Sequence, residues 1–395
     1  MKILQVIHAY YPPCSVGGAA IIANTISETL ATINHDVNVY TTNELYSGVL
    51  FQAKKKTYNL NGVNVSYFHI TLYKPSFYLI FSKDLFLKLK NTIHEYDVIH
   101  LHEYRNIVSL MVCFFASIYR IPVIIQTHGQ LPHFFGMQRS KWLFDFIIGN
   151  HLLKKASQVI ALSKVEAEQY KKMCVPTDKI SIVPNGVNIN EYTELPSTGL
   201  FKKKNGVDKH TKVVLYLGRI HKIKGIDILI KAFRKVCETI DDVILVIVGP
   251  DDNYLPAVQH LIKSLEIENK VLIPGPKYSV DKLEAFIDAS VYVLPSRHEA
   301  FPMSVLEACS CGTPVIASRV GALDEMIIDG ETGILFDAGD VDQLCKNIIY
   351  LLKEREIARQ MGLNGKNYVA NKFSIEKIVE KLESLYFDVT QRTLF

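Results

Sequence analysis

Residues 297–307 of this chain read Arg-His-Glu-Ala-Phe-Pro-Met-Ser-Val-Leu-Glu. They follow a short β-branched run, 291–294, that predicts a buried strand, and the apolar spacing from Met303 onward predicts a helix. Glu299 lies in the loop before this helix, and Glu307 lies within it. We therefore expect both carboxylates to reach one cleft at the carboxyl end of the strand.

The chemistry of this segment suits a sugar joined to a phosphate. Carboxylates accept hydrogen bonds from hydroxyl groups, and the unpaired N–H groups of a helix N-terminus attract a diphosphate. The spacing alone also fits a structural alternative, in which one carboxylate caps the helix and the other glutamate faces solvent.

The alternation of strand and helix extends outward from this segment in both directions. In the first half of the chain, strands are predicted at 2–8, 36–41, 97–102, 123–127, 159–162 and 180–183. In the second half, they are predicted at 213–217, 243–248, 271–274, 291–294 and 315–318. Alternating β and α units predict an α/β class with parallel sheets covered by helices.

Length and composition exclude several classes of protein. The chain has 395 residues, more than the ~250–300 at which single cores stop growing, so two domains are expected. With 48% hydrophobic and 21% charged residues, the chain is not disordered. A net charge of +4 is too small for a nucleic-acid-binding protein.

The cysteine content and the residue spacing predict the cellular compartment and argue against a bound metal. Seven cysteines, an odd number, do not form a disulfide framework, and no His, Asp, Glu or Cys cluster has metal-ligand spacing. The longest apolar run, 107–119, is shorter than the ~20 residues that a bilayer span needs. We therefore expect a cytoplasmic protein with no bound metal, no signal peptide and no membrane span.

Two cations open the second half of the chain. Arg219 and Lys224 flank a predicted turn between a strand and a helix, where the helix dipole disfavours positive charge. Their position therefore favours an anionic ligand: the arginine fork can bridge diphosphate oxygens, and the lysine can act as a point charge. Two solvated surface charges are the alternative.

Taken together, these motifs resemble those of the retaining glycosyltransferases of family 4, which have the two-domain GT-B fold. Residues 299–307 resemble the family's E-x7-E motif, and Arg219 with Lys224 is similar to its basic pair. Further similar segments lie at 127–129, 180–188, 312–318 and 330–333, so the resemblance covers most of the chain.

The resemblance implies a reaction and its partners. The chain is expected to transfer a hexose-type sugar from a nucleotide diphosphate donor with retention of configuration, without a cofactor or a metal. A UDP-sugar is favoured as donor, and GDP-mannose is possible. The implied acceptor is a glycan or a lipid-linked sugar, in the synthesis of a polysaccharide or glycoconjugate.

The resemblance also assigns roles to individual residues. The implied catalytic residues are Arg219, Lys224, Glu299 and His128. The implied donor-binding residues are Gly17 and Gly18 in a glycine loop, Pro276 and Lys277 beside the base, Phe301, Pro302, Met303 and Ser304 at the sugar and phosphates, and Glu307 at the ribose. Pro302 stands where the family often has glycine, and proline removes one backbone N–H donor.

The expected fold is GT-B: two doubly wound, Rossmann-like domains with an interdomain cleft. We predict an N-terminal acceptor-side domain at 1–189, a polar linker at 190–210 and a nucleotide-sugar-binding domain at 211–373. A final helix at 374–395 is expected to return to the N-terminal domain.

The aromatic stretches and the function each allow more than one interpretation. The aromatic-rich stretches 67–81 and 134–148 lie among basic residues and predict either a face for peripheral membrane contact or ordinary core packing. The rival functions are a GT-B sugar-nucleotide epimerase and a non-catalytic sugar-nucleotide-binding scaffold. No GxGxxG fingerprint is present, which argues against a nicotinamide cofactor.

Overall fold

A computed structural model of the chain describes residues 1–10, 17–46, 49–50, 57–74, 79–132 and 138–393. The chain divides into two compact units. The first contains Met1–Gly186 and Ile375–Phe395, and the second contains Val187–Ser374.

The first unit is built on an eight-stranded sheet with the order β12-β11-β10-β9-β1-β2-β6-β5. Its strands are β1 Lys2–Val6, β2 Asp36–Thr42, β5 Thr57–Leu60, β6 Val63–Phe68, β9 Val98–His102, β10 Val123–Gln126, β11 Gln158–Ala161 and β12 Ile180–Ile182. Two small antiparallel sheets are formed by β3 Glu44–Tyr46 with β4 Val49–Leu50 and by β7 Leu72–Lys74 with β8 Leu79–Phe81. All pairs in the large sheet are parallel except β5 with β6.

Helices surround this sheet. They are α1 Gly18–Thr32, α2 Lys83–Thr92, α3 Ile107–Tyr119, α4 Gln138–Phe144, α5 Asn150–Lys155, α6 Lys164–Lys172 and the final helix, α15 Ile375–Thr393. A π-helical turn, Asp145–Gly149, joins α4 to α5. The central strands β1, β9 and β10 are almost entirely buried, because their β-branched and leucine side chains pack against helices on both faces.

The second unit has a six-stranded parallel sheet with the order β15-β14-β13-β16-β17-β18. Its strands are β13 Lys212–Leu217, β14 Val243–Val248, β15 Val271–Gly275, β16 Val291–Leu294, β17 Val315–Ser318 and β18 Ile334–Phe336. Its helices are α7 Leu200–Lys204, α8 Ile226–Val236, α9 Leu255–Ser264, α10 Ser279–Asp288, α11 Met303–Ser310, α12 Leu323–Met326, α13 Val341–Lys353 and α14 Arg355–Lys372.

In both sheets the order of the strands reverses at one point, called the switch point, and this point determines where a ligand site is expected. In the second unit the chain moves outward from β13 to β14 and β15 and then returns to place β16 on the other side of β13. The first unit does the same between β1 and β9. Ligands of doubly wound folds bind outside the carboxyl ends of the strands at such a switch point. The predicted α/β class with two Rossmann-like domains is confirmed.

The segment 190–210, predicted as a linker, lies inside the second unit in the structure. It contains α7, whose Phe201 is buried, and its first backbone N–H groups are bonded to the Asp288 carboxylate of α10. The polar composition that indicated a linker instead reflects a short helix with basic residues on its outer side. The terminal helix α15, expected to return to the first domain, is part of the first unit.

Replacement of Asp288 by alanine should destabilise the second unit, because it removes the buried acceptor for the amides of Gly199 and Lys202. Charge-assisted bonds of this kind contribute about 1.5–3 kcal/mol each, so we expect a loss of a few kcal/mol in urea unfolding. Asp281→Ala is the matched control, since the half-exposed carboxylate of Asp281 pairs with Lys204 at the protein surface. Loss of this surface pair is expected to lower the free energy of unfolding by at most about 1 kcal/mol. Equal losses for the two variants would contradict this account of α7.

Candidate functional site

Two loops meet at the switch point of the second sheet. One runs from the end of β13 to Gly225, and the other runs from the end of β16 to Pro302. They are joined by the bond from the Arg297 amide to the Ile223 carbonyl, at 2.8 Å. Arg297 also forms a bidentate pair with Asp227, in the first turn of α8, at 2.7 and 2.8 Å. This arrangement follows from the local sequence, because β13 and β16 each end in a loop that leads into a helix.

Glycine is required where these loops touch. Gly225 has φ +67°, and a Cβ atom there would lie 1.9 Å from the carbonyl oxygen of Pro295. Gly321 has φ +58°, and its Cβ would lie 1.8 Å from the carbonyl oxygen of Glu299. A side chain at either position would push the loops apart. These two contacts fix the backbone on either side of Glu299.

Lys224 and Glu299, both predicted catalytic residues, form an ion pair. Lys224 Nζ lies 2.7 Å from Glu299 Oε1, and the hydroxyl of Ser296 donates to the same oxygen at 2.6 Å. Glu299 is 6% exposed, so the pair is screened from water. Ser296 was not predicted, and nothing in its sequence context distinguishes it from an ordinary loop serine.

His298 stands beside this pair and stays uncharged at neutral pH. Burial lowers its pKa, the charge of Lys224 lowers it further, and the Glu299 carboxylate opposes both effects. The site therefore carries one ammonium and one carboxylate, with a neutral imidazole next to them.

Helix α11 begins at the same place. Pro302 is its N-cap residue, with φ −73° and ψ 115°, and Met303 and Ser304 form its first turn. The hydroxyl of Tyr292, on β16, lies 2.7 Å from Ser304 Oγ and 3.2 Å from the Leu217 carbonyl of β13. The first N–H groups of a helix have no intrahelical partner, so this fixed turn offers donors to an anion. Phe301 is buried and lies edge-on to Phe373, with ring centroids 5.7 Å apart.

Glu307, in the second turn of α11, has a partner that the sequence did not indicate. Its Oε1 lies 2.8 Å from Nζ of Lys282 on α10, and both side chains are largely buried. Lys282 is 25 positions away on another helix, so only the fold brings the two together.

The remaining predicted residues of the second unit do not share the contacts of the Lys224–Glu299 pair. Arg219 forms an ion pair with Asp252 at 2.7 Å and is half exposed. Pro276 is exposed and Lys277 half-buried, both in the loop between β15 and α10. The structure thus joins Lys224 with Glu299, whereas Arg219 and Glu307 each contact a different partner.

In the first unit, the predicted glycines and histidine lie at strand and helix ends. Gly17 is the exposed N-cap of α1, Gly18 is its first residue, and the Gly17 carbonyl accepts from the Ala20 amide at 3.0 Å. His128 follows β10 with φ +49°, in the left-handed region. The next residue, Gly129, donates its N–H to the buried carboxylate of Glu166 at 2.8 Å.

Glu166 organises the loop that carries His128. It also accepts from the Thr127 hydroxyl at 2.8 Å and from the Leu162 amide at 2.7 Å. Burial raises its pKa, and these three hydrogen bonds oppose that rise. Burial also lowers the pKa of His128 to about 4, against the opposing charge of Glu103, so His128 is neutral at physiological pH.

Across the described residues, no group of three or more His, Cys, Asp or Glu side chains is arranged to hold a metal ion. No helix in the described part of the chain is long and apolar enough to cross a bilayer.

Comparison with known proteins matches both halves of the chain to family models. Residues 16–191 match the model described as "Glycosyltransferase Family 4", and residues 198–368 match "Glycosyl transferases group 1". Several relatives have names that state a reaction, among them the following two. The N-acetyl-alpha-D-glucosaminyl L-malate synthase of Bacillus anthracis is 28% identical, over 96% of this chain and 95% of that protein. The UDP-Gal:alpha-D-GlcNAc-diphosphoundecaprenol alpha-1,3-galactosyltransferase of Escherichia coli is 25% identical, over 75% and 76% of the two chains.

Solved structures share the fold. HepE of Anabaena, crystallised with UDP and glucose, aligns over 98% of this chain and 100% of its own, with a TM-score of 0.78 and 20% identity. WaaG, a glycosyltransferase involved in lipopolysaccharide biosynthesis, aligns over 97% and 99% with a TM-score of 0.71 and 17% identity. The predicted GT-B class is confirmed at the level of the fold, and the cleft stays a prediction.

The stability of the first unit should decrease as the pH falls from about 6.5 towards 4. Burial lowers the pKa of His100 to about 3 and that of His128 to about 4, from an ordinary value of 6.5. The unfolded chain therefore takes up protons in this window that the folded chain excludes, and its population grows. His100→Gln should make the dependence of the urea midpoint on pH shallower between pH 4 and 6.5. His210→Gln, at an exposed position, should leave it unchanged; identical slopes for the two variants would refute the assignment.

Proposed function

This chain is a glycosyltransferase of family 4, and on that premise we propose that its second unit binds a nucleotide diphosphate sugar at the Lys224–Glu299 pair and the N-terminus of α11. The pair carries the proposal, because it places a cation, a carboxylate and free helix amides at one switch point. A diphosphate needs the cation and the amides, and a sugar hydroxyl needs the carboxylate.

The two ion pairs differ in burial, so Lys224 and Arg219 are expected to respond differently to a bound diphosphate. The Lys224–Glu299 pair is buried, and separating such a pair leaves an uncompensated charge, so Lys224 stays in place and the diphosphate joins it. The Arg219–Asp252 pair is exposed on the arginine side, and pairs of this kind are worth about 0–1 kcal/mol. A diphosphate therefore competes with Asp252 for the Arg219 guanidinium at little cost.

The proposed reaction proceeds with retention of configuration and without a metal. The C–O bond between the sugar and the diphosphate breaks, and the acceptor hydroxyl forms its new bond to the anomeric carbon from the same face. The departing phosphate oxygen takes the acceptor proton, so no side chain needs to act as general base. Lys224, Arg219 and the α11 amides stabilise the negative charge that develops on the leaving diphosphate, which is the largest contribution in reactions of this kind.

The donor is a UDP-sugar in this proposal, with GDP-mannose as the second possibility. HepE was crystallised with UDP, and the Escherichia coli relative is named for UDP-galactose. Glu307 is assigned to the ribose hydroxyls, with Lys282 holding its carboxylate in place. Pro276 and Lys277 line the base. Thermal stabilisation by a panel of sugar nucleotides identifies the donor, since a ligand of the folded state raises the melting temperature by mass action.

Lys224→Ala and Glu299→Gln should each lower turnover by about 10²–10³-fold, because each removes charge stabilisation at the leaving group or the sugar. Turnover is measured as release of nucleoside diphosphate that depends on an added acceptor, with lipid-linked sugars and free glycans as candidates. The controls are Lys222→Ala and Glu331→Gln, both at exposed positions of the same unit.

Near-normal turnover of both site variants would overturn the site. Conversion of the sugar nucleotide without release of nucleoside diphosphate would favour the epimerase. Tight binding without any conversion would favour the scaffold.

The acceptor is proposed to be lipid-linked and to be reached at a membrane surface. The continuous helical segment from α4 to α5 exposes four large apolar side chains at helical spacing: Trp142, Leu143, Phe146 and Ile147, which are 59%, 50%, 70% and 61% exposed. The rings of Trp142 and Phe146 are stacked, with centroids 5.4 Å apart.

The opposite face of this segment is anchored in the protein. Asp145 is buried and pairs with Arg105, whose Nε lies 3.0 Å from Asp145 Oδ1. Arg139, Lys154 and Lys155 are exposed at the two ends of the segment. An apolar strip between basic ends is typical of a helix that lies in the interface of an anionic membrane. In the other aromatic stretch, 67–81, Tyr67 and Phe68 are buried core residues, and residues 75–78 lie outside the described part of the chain.

The double substitution Trp142→Ser with Phe146→Ser should reduce binding to vesicles of anionic phospholipid by at least about tenfold, because each aromatic side chain buries apolar area in the interface. Vesicle flotation measures the bound fraction. Ile357→Ser with Leu363→Ser is the matched control, since both residues are exposed apolar positions of the second unit. If the Trp142→Ser, Phe146→Ser protein binds vesicles as well as the unsubstituted protein does, the proposal that this surface contacts the membrane is wrong.

A further inference from the structure

Three histidines at the carboxyl edge of the first sheet form a connected cluster. His100 and His102 alternate along β9, so they lie on the same face of the sheet, with ring centroids 4.1 Å apart. The ring of His128 lies edge to edge with that of His102 and nearly in its plane, with centroids 5.1 Å apart, and His102 Nδ1 lies 2.8 Å from His128 Nε2. His100 and His102 are buried, whereas His128 is partly exposed at the strand end.

The hydrogen bonds continue from this cluster to the final helix. His102 Nε2 lies 2.6 Å from Oε1 of Gln5 on β1, and Nε2 of Gln5 lies 3.4 Å from the hydroxyl of Tyr386 on α15. The same hydroxyl lies 2.7 Å from His100 Nδ1. Gln5 and Tyr386 are fully buried, so water does not compete for these contacts.

These hydrogen bonds determine which ring nitrogens of His102 and His128 carry a proton. An amide oxygen only accepts, so the Gln5 oxygen requires the proton of His102 on Nε2. Burial and the neighbouring imidazoles hold the pKa of His102 well below its usual range, so His102 is neutral and its Nδ1 has a lone pair. That lone pair accepts the Nε2–H of His128. His128 is also neutral, so its own Nδ1 carries no proton.

We propose that Tyr386, Gln5 and His102 are positioning residues that hold His128 as the neutral tautomer protonated on Nε2, so that its Nδ1 accepts a hydrogen bond from a substrate hydroxyl. The inference rests on the proposed function for the identity of the partner, a hydroxyl of the acceptor. Held in this form, His128 recognises a hydroxyl group and does not donate a hydrogen bond from Nδ1 to a phosphate oxygen.

The tautomer is measured on the protein without substrate. In protein labelled with ¹⁵N-histidine, long-range ¹H–¹⁵N correlation distinguishes protonated from bare ring nitrogens, and comparison with the His128→Gln spectrum assigns the signals. We expect Nε2 protonated and Nδ1 bare between about pH 6 and 8, the range in which an ordinary imidazole changes its charge. A proton on Nδ1, or a doubly protonated ring, would overturn the proposal.

Two variants test the chain of contacts. Gln5→Met removes the acceptor with little change in volume, and we expect a mixture of His128 tautomers with kcat about tenfold lower and the donor KM within about twofold. Tyr386→Phe removes the hydroxyl that orients the Gln5 amide and should act in the same direction. The control is Tyr96→Phe, another buried tyrosine of this unit, whose hydroxyl lies 3.0 Å from that of Tyr40; it should keep both the spectrum and the rate.

An unchanged His128 tautomer in Gln5→Met would refute the positioning role even if kcat fell. Because the spectrum needs no substrate, its outcome is independent of the transferase activity. A bare Nδ1 in a protein that turns over no sugar nucleotide would overturn the proposed function alone. The opposite tautomer in an active enzyme would overturn only this inference.

Discussion

Close contact between backbones at the switch point of the second sheet is the constraint on which the site depends. The carbonyls of Pro295 and Glu299 are approached so closely by Gly225 and Gly321 that no side chain fits at either glycine. The loop that carries Glu299 is thereby held between two others, and the carboxylate points to Lys224 rather than to water. The ion pair is a consequence of this packing, because two charges leave water only where the surrounding backbone fixes their geometry.

The sequence predicted the parts of this site that depend on local order. Strand periodicity located the ends of β13 and β16. The spacing of Glu299 and Glu307 around a helix start, and the pairing of Arg219 with Lys224 at a strand–helix turn, then indicated candidate residues, to which the family resemblance gave roles. The sequence could not predict Lys282 or Asp252, since each reaches its partner through tertiary packing. Ser296 lies only three positions before Glu299, but nothing in its sequence context distinguishes it from an ordinary loop serine. The segment 190–210 was assigned to a linker because composition records polarity but not the buried Asp288 that anchors α7. The catalytic and donor-binding roles given to all the predicted site residues remain predictions.

The first unit shows a different relation between sequence and structure. The pattern His-Leu-His at 100–102 has the period of a strand and places two imidazoles on one face, which was the available signal for the histidine cluster. Its partners Gln5 and Tyr386 are separated by most of the chain, so only the fold reveals that the cluster is a connected network. Neutral imidazoles suit this buried edge, because burial opposes a positive charge there more strongly than the carboxylate of Glu103 favours one.

The position of α15 has a consequence for how the protein is made. The first unit is completed by the last residues of the chain, while the second unit occupies an uninterrupted stretch whose two ends, Val187 and Ser374, pair side by side. During synthesis on the ribosome, the second unit can therefore fold as soon as its own residues have emerged. The first unit stays incomplete, with Gln5 and His100 lacking the Tyr386 hydroxyl, until α15 has also emerged. The second unit can thus be complete before the first, and the apolar surface that α15 covers in the first unit stays exposed for longer during synthesis.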